Sequence, residues 1–427
     1  MRMCELLVGL PEVTVLGVED EALRVHVESR LDQGWCPDCG VRAQVKDRPA
    51  VVLVDLPCFG RSTRLVWHKT RWRCREQACP TGSWTITDDR IAPPRATLTD
   101  RAARWATVQV GRLGRPVSEV AEELGCDWHT VNGAVVAYGE ALLAVDVDRV
   151  GRVDALGLDE TLFFRKGSRH LKQWCTSIVD VGGPGRTAKL IEVVEGRTAT
   201  KVSGWLDGQP DEWRQAVRWG VLDMSGPYRK VFNDSLDHAT QIADPFHVVK
   251  HANAKLDECR RRVQNDTLGH RGRKDDPLYK SRRLLTKGHE RLDDTGNAKL
   301  MGLLEAGDPR GEVRMTWHAK ETVRGIYAID DPEVAGQIVD ELIVDMGDRE
   351  MPPEVRSLGR TLRRWRDHIV AWHHARVTNG PTEAINNLIK KVKRVGFGLR
   401  RFRHYRIRAL LYAGKPNWDL LATITPR

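Results

Sequence analysis

The feature that most restricts the fold of this chain lies between residues 153 and 223, where short apolar segments are punctuated by Gly and Pro. They read as strands at 153–159, 172–181 and 188–194, a helix at 199–206 and a further strand at 217–223. Two of the strands run into acids: Ala155-Leu-Gly-Leu leads to Asp159, and Trp219-Gly-Val-Leu leads to Asp223.

Strand, strand, strand, helix, strand is the order in which a ribonuclease H-like α/β domain begins. If the first and fourth strands are neighbours, Asp159 and Asp223 meet at one sheet edge. A third acid, Glu383, opens a helix in Thr378-Asn-Gly-Pro-Thr-Glu-Ala-Ile-Asn-Asn, and that helix can carry it to the pair. Transfer of a phosphoryl group on DNA needs an activated nucleophilic oxygen and a stabilised leaving oxygen, work done by two Mg²⁺ ions ~3.5–4 Å apart between carboxylates. Local pattern alone also admits a structural role for each acid. The chain has 58 acidic residues, and Gly380-Pro381 would favour a helix start whatever Glu383 does. The same holds for Asp244-Pro-Phe-His247, where Asp before Pro is a helix-capping signal, and for His247 and His251, which suit a solvated or core helix face better than a metal site.

A chain of 427 residues has room for several domains. Residues 1–95 read as β-rich, with alternating runs such as Val13 to Val18 and Leu23 to Val27. They contain Cys36-Pro-Asp-Cys39-Gly and, 34 residues on, Cys74-Arg-Glu-Gln-Ala-Cys79-Pro. Two thiolate pairs on tight turns suit a closed, structural tetrahedral Zn²⁺ site, with Cys58 and His68 as alternative ligands. An odd total of nine cysteines, most of them scattered, points to metal ligation in a reducing compartment rather than to disulfides. Ile91-Ala-Pro-Pro-Arg is an extended link. Residues 96–148 are helical in period, and within them Val120, Ala121 and Leu124 make one apolar face, Gly125 a turn, and Asp127 a cap for a second helix carrying Val131 and Ala134. That is helix-turn-helix spacing, with His129, Thr130 and Asn132 facing the bases of a major groove. The remainder divides into 149–250 as the first part of the core, 251–360 as a charged, mostly helical insertion, and 361–427 as the second part.

The net charge of +10 favours polyanionic partners. It is concentrated after Glu383: from Ala384 to Trp418 there are ten Lys or Arg and no acid. Lys390, Lys391, Lys393, Arg394, Arg400, Arg401 and Arg403 are expected on DNA phosphates, with Phe397, Phe402 and Tyr405 available for stacking. No apolar run reaches the ~18–20 residues of a membrane span, so no membrane partner and a cytoplasmic location, on the nucleoid when DNA is bound, are expected.

Taken in order, the paired cysteines, the helix-turn-helix, Gly157-Leu-Asp159-Glu, Leu222-Asp223-Met-Ser-Gly-Pro-Tyr, Ala243-Asp244-Pro-Phe-His247-Val-Val-Lys, Thr378-Asn-Gly-Pro-Thr-Glu383 and Lys393-Arg394-Val-Gly-Phe-Gly give the chain its family. Over essentially its whole length it resembles the transposases of the ISL-three family of bacterial insertion sequences. The resemblance implies that Asp159, Asp223 and Glu383 are a DDE triad binding Mg²⁺ or Mn²⁺ in a ribonuclease H-like core, interrupted by the 159 residues between Asp223 and Glu383. It further implies that Asp244 and His247 belong to the active-site region. The C-x4-C spacing of the second cysteine pair departs from the tighter ribbon pattern. The expected activity is binding of terminal inverted repeats in double-stranded DNA, then phosphodiester hydrolysis and strand transfer by a homo-oligomer. The competing expectations are a DNA-binding regulator with a dead core, and a ribonuclease H-like nuclease that cuts without joining.

Overall fold

The cysteine-containing segment builds two small sheets because its apolar residues alternate too briefly for anything larger. The computed structural model describes residues 9–10, 13–30, 34–166, 171–183 and 186–426. The first eight residues of the strand-rich 1–30 segment lie outside that set. Strands β1 (Val13–Glu19), β2 (Arg24–Ser29), β3 (Gln44–Asp47), β4 (Ala50–Cys58), β5 (Arg61–His68), β6 (Arg71–Arg73) and β7 (Ser83–Thr85) follow in turn. One sheet has the order β1-β2-β5-β4 around Val13, Val27, Leu53, Leu65 and Trp67, and the other has the order β3-β6-β7.

Helices α1 (Asp100–Thr107), α2 (Val117–Leu124) and α3 (Trp128–Val145) come next. Gly125 closes α2 in the left-handed conformation at φ 64°, and the Asp127 carboxylate caps α3 by accepting from the Thr130 N–H at 2.9 Å. Val120, Ala121 and Leu124 then pack with Val131 and Val135, as the spacing requires. Arg64 on β5 donates to the Leu124 carbonyl at 3.1 Å, so the first sheet satisfies the C-terminus of α2.

The central sheet is made by β8 (Ala155–Lys166), β9 (Leu171–Asp180), β10 (Lys189–Glu195), β11 (Trp219–Leu222) and β12 (Thr240–Ala243), with α4 (Ala199–Asp207), α5 (Asp211–Gln215) and α6 (Gly226–Ser235) between them. Its order is β10-β9-β8-β11-β12. The first three strands are antiparallel, and β11 runs parallel to both β8 and β12. Period-two alternation sends Leu156 and Leu158 into a core with Val202, Leu206, Val231 and Phe232. Gly157 and Asp159 therefore share the opposite face. Two strand expectations need correction. β8 does not end at Asp159 but continues to Lys166, because its pairing with β9 persists through the polar Asp159-Glu160 step. β12 is a strand the sequence did not announce, being only four residues long.

Eight helices complete the described chain: α7 (Pro245–Leu268), α8 (Pro277–Thr286), α9 (Asp294–Gly307), α10 (Glu312–Ile326), α11 (Pro332–Asp345), α12 (Pro353–Ala375), α13 (Gly380–Val395) and α14 (Phe402–Ala413). The expected divisions at 250 and 360 fall inside α7 and α12. The helical passage packs onto the central layer, since Val323, Ile326, Val339, Ile343, Val355 and Leu358 join the same core as Leu158 and Phe232. A satellite core of Leu278, Leu285, Leu300, Leu304 and Trp317 is its outlying part. α14 is a buried tie between layers. Tyr405 and Leu410 pack with Phe163 and Val193 under the central sheet, whereas Ile407 and Leu411 pack with Val135 and Leu142 of α3. No described helix is long and apolar enough to cross a membrane.

Candidate active site and DNA-binding surface

Asp159 and Asp223 lie on neighbouring parallel strands, Asp159 within β8 and Asp223 one residue beyond β11. The Asp223 carboxyl is held above its ordinary range, first by burial and then by the negative charge of Asp159. It accepts a hydrogen bond from the Ser225 N–H, at 3.1 Å. Glu383 sits in the first turn of α13, whose apolar stripe of Ile385 and Ile389 packs against Val179 and Phe163 of the sheet. Three residues on, Asn386 faces the same way and clamps the two parts: its amide donates to the Asp159 carboxylate and its carbonyl accepts from Ser177. Gly157 makes the approach close, because a Cβ there would stand 2.1 Å from Thr382 Oγ1.

Asp244 and His247 complete the cluster. Asp244 is buried, caps α7, and accepts from His247 Nδ1 at 2.9 Å and from the Asn379 N–H at 2.8 Å. His247 thereby turns Nε2 toward Glu383, 3.7 Å away. The hydrogen bond to Asp244 is the main reason the imidazole pKa rises, opposed by burial and helped by the charges of Asp244, Asp223 and Glu383. His251, one turn along, is half-buried and its pKa is lowered by desolvation, in keeping with a core position. No lysine or arginine pairs with Asp159, Asp223 or Glu383 among the described residues.

The four cysteines converge more tightly. Cys36 and Cys39 flank a turn closed by the Gly40 N–H on the Cys36 carbonyl, and Cys74 and Cys79 bracket the loop between β6 and β7. Cys36 Sγ is 3.6 Å from Cys79 Sγ, and Cys39 Sγ is 3.4 Å from Cys74 Sγ. Tetrahedral zinc with ~2.3 Å bonds needs sulfurs about 3.8 Å apart, so the donors fit. Among the described residues these sulfurs are the one group of three or more potential ligand atoms that all lie within 4.8 Å of one another. The three acids are more loosely gathered. The Cys39 backbone N–H draws the Cys36 thiol down to about 6, while burial pushes Cys74 up to about 12. Cys58 is exposed, and His68 is bound to His26 at 3.1 Å, so neither is needed as a ligand.

Comparison with known proteins decides the family. A family profile described as a transposase matches residues 156–409, and a second, the helix-turn-helix domain of transposase family ISL3, matches residues 90–139. The chain is an ISL3-family transposase. Among curated relatives, the transposase for insertion sequence element IS1557 of Mycobacterium tuberculosis is 26% identical over 345 residues, covering 75% of this chain and 73% of the relative. The transposase for element IS1001 of Bordetella parapertussis is 23% identical over 395 residues, 88% of each. This is an insertion-sequence transposase with a helix-turn-helix for DNA and a DDE domain that implies use of a divalent metal.

Within the transposase the expected DNA contacts divide. His129 is exposed on α3, but the Thr130 hydroxyl is already bonded to Asp127 at 2.6 Å. Asn132 is buried and bonded to His404 at 3.3 Å, so it does not share the open face, a correction that follows from α14 packing beside α3. Lys390, Arg394, Arg400 and Arg401 are exposed. Lys391 instead reaches Tyr412 at 2.7 Å, Lys393 the Leu162 carbonyl at 2.6 Å, and Arg403 pairs with Glu140. Phe397 is 85% exposed and remains available to a base or sugar, whereas Tyr405 is fully buried and Phe402 packs on Phe163. Sequence reasoning missed Asn386 and Gly157. The signal for Asn386 was its position three after Glu383, one helical turn along the same face.

Proposed function

We propose that Asp159, Asp223 and Glu383 form the metal-binding triad of a ribonuclease H-like core, and that this transposase cuts phosphodiester bonds at its element's terminal inverted repeats and joins the freed ends to target DNA. The observation that carries this reading is the juxtaposition of two acids on adjacent parallel strands with a helix whose Asn386 holds the first acid and whose Glu383 lies one turn away. The 3-2-1-4-5 order of the central sheet supports the fold. Unpaired negative charge at the site supports the metal, with Mg²⁺ or Mn²⁺ supplying activation of the attacking oxygen and stabilisation of the leaving one.

The protein's own residues place that charge. Asp244 fixes the tautomer and direction of His247, which steadies Glu383, and Asn386 fixes the Asp159 rotamer. The cysteine module, with zinc on Cys36, Cys39, Cys74 and Cys79, and the helix-turn-helix recognise the ends. Because two ends must be held together, the working form is an oligomer.

The test is divalent-metal-dependent cleavage and strand transfer on end DNA, comparing wild type with Asp223→Asn and Glu383→Gln. Both variants should bind ends normally and lose both reactions. Cleavage retained by either would overturn the triad. Cleavage without joining by the wild type would make the protein a nuclease, and neither reaction would make it a regulator.

A further inference from the structure

Between the helix-turn-helix and the segment that follows the Glu383 helix lies a cavity of about 720 Å³. One wall is α3, with Trp128, His129 and Gly133. The other is the turn from Gly396 to Arg401, and Arg408 of α14 also lines the cavity. Arg408 is the unusual member. Only 3% exposed, it has no acidic partner and no hydrogen bond to protein among the described residues, and its Nε is buried without an acceptor. Its neighbours on the same helix are paired, Arg403 with Glu140 and Arg406 with Glu192. Asn132 Oδ1, in the same cavity, is likewise buried and has no partner among the described residues. A buried guanidinium keeps its proton, since burial lowers Arg408 only to about 10. An unpaired buried charge is costly, and a fold retains one most readily where a ligand supplies the counter-charge.

The chemistry facing the cavity is that of an anion site. At the rim Arg400 and Arg401 are exposed and carry no ion pair among the described residues. The occupant must reach past a helix-turn-helix helix on one side and the end of the Glu383 helix on the other. A strand of DNA lying along α3 does so.

We propose that this cavity seats a backbone phosphate of the bound DNA on Arg408, anchoring the strand between the helix-turn-helix and the catalytic layer. The inference rests on DNA binding by the transposase, which wild-type titration of end DNA tests separately.

The experiment measures affinity for end DNA against salt, between about 50 and 200 mM, for wild type, Arg408→Met and Gly133→Leu. Arg408→Met removes the charge and keeps an unbranched side chain. Its melting temperature should equal or exceed that of wild type, because an unpaired buried charge has been removed. Its affinity should fall about ten- to a hundredfold, as for loss of a charge-assisted hydrogen bond. Its slope of log affinity on log salt should become shallower by about 0.9, one phosphate contact. Gly133→Leu fills the cavity from a position where a Cβ meets nothing within 4 Å, in a helix that gains from losing Gly. It should fold and show the same shallower slope, which decides the matter should Arg408→Met fail to fold. A folded variant with wild-type affinity and slope would overturn the proposal. So would a site for free anion alone: inorganic phosphate raising the melting temperature of wild type but not of Arg408→Met, with DNA affinity and slope unchanged.

Discussion

Adding one methyl group at Gly157 should separate catalysis from DNA binding. Its Cβ would meet Thr382 Oγ1 at 2.1 Å, Val181 Cγ2 at 3.0 Å and Thr382 Cβ at 3.3 Å. Nonbonded heavy-atom contacts are optimal at about 3.5–4.0 Å, so the first of these falls short by roughly 1.4 Å or more. Thr382 is fully buried in the first turn of α13 and cannot swing away, so the helix must shift from the sheet by roughly 1 Å. Glu383 and Asn386 move with it. A displacement of that size costs about 100-fold in rate, and the overpacking costs about 1–3 kcal/mol of stability. The Thr382 hydroxyl has no hydrogen-bond partner among the described residues, so Thr382→Ala alone should be nearly neutral. In the Gly157→Ala/Thr382→Ala pair the remaining 3.0 and 3.3 Å contacts need only tenths of an ångström of adjustment, and most activity should return. Single-turnover cleavage at saturating end DNA reads the rate, and a binding titration should show no change. A Gly157→Ala enzyme that cleaves at the wild-type rate would refute the close helix–strand contact. A folded double variant as slow as the single would show that the damage lies elsewhere.

Other expectations follow from the same structure. Asn386→Ala frees the Asp159 carboxylate and should weaken the divalent-metal dependence of cleavage about 10- to 100-fold, while Asn386→Gln, whose amide overshoots, should not rescue it. Elemental analysis should find one zinc per chain, lost in Cys36→Ser, with a separate low-temperature unfolding step for the cysteine module and little change in α3. His368 is pulled down to about 4, first by burial and then by Arg229, so the folded state keeps it neutral. Its contribution to stability is present above the unfolded value of about 6.5 and is lost as pH falls toward 4. Thermal melts over that window should steepen in wild type and flatten in His368→Phe; equal pH profiles would contradict it.

The core of this architecture was legible because it is written in local periodicity. The strands at 172–181 and 188–194, the helix at 199–206, the Gly125 turn and the Asp127 cap all follow from apolar spacing and backbone preference. What escaped depends on contacts between distant segments. β8 outruns its apolar stretch because β9 pairs with it regardless of Asp159 and Glu160. Tyr405 looks like a stacking residue in a basic tail until α14 is seen wedged between two layers, with Arg403 tied to Glu140 and Arg406 to Glu192. The absence of acids from that tail was real, yet two of its ten charges, Arg403 and Arg406, are answered by acids from elsewhere in the chain.

Asp244 shows how the candidate site depends on the intervening helices. A carboxylate that is 2% exposed requires donors, and Asp244 has three: the His247 N–H, His247 Nδ1 and the Asn379 N–H. The first two belong to the start of α7, immediately after the edge strand β12. The third lies one residue before α13, beyond the whole passage from α8 to α12. One side chain therefore caps the helix that leaves the sheet and grips the turn from which the Glu383 helix returns. The Asp244 oxygens are thus spent on this junction. Asp159 and Asp223 lie on neighbouring strands of one sheet, whereas the turn that leads into the Glu383 helix is held through Asn379 on Asp244, next to β12, against which α12 packs. The placement of Glu383 beside the sheet thereby depends on the packing of the helical passage, although that passage contributes none of Asp159, Asp223 and Glu383.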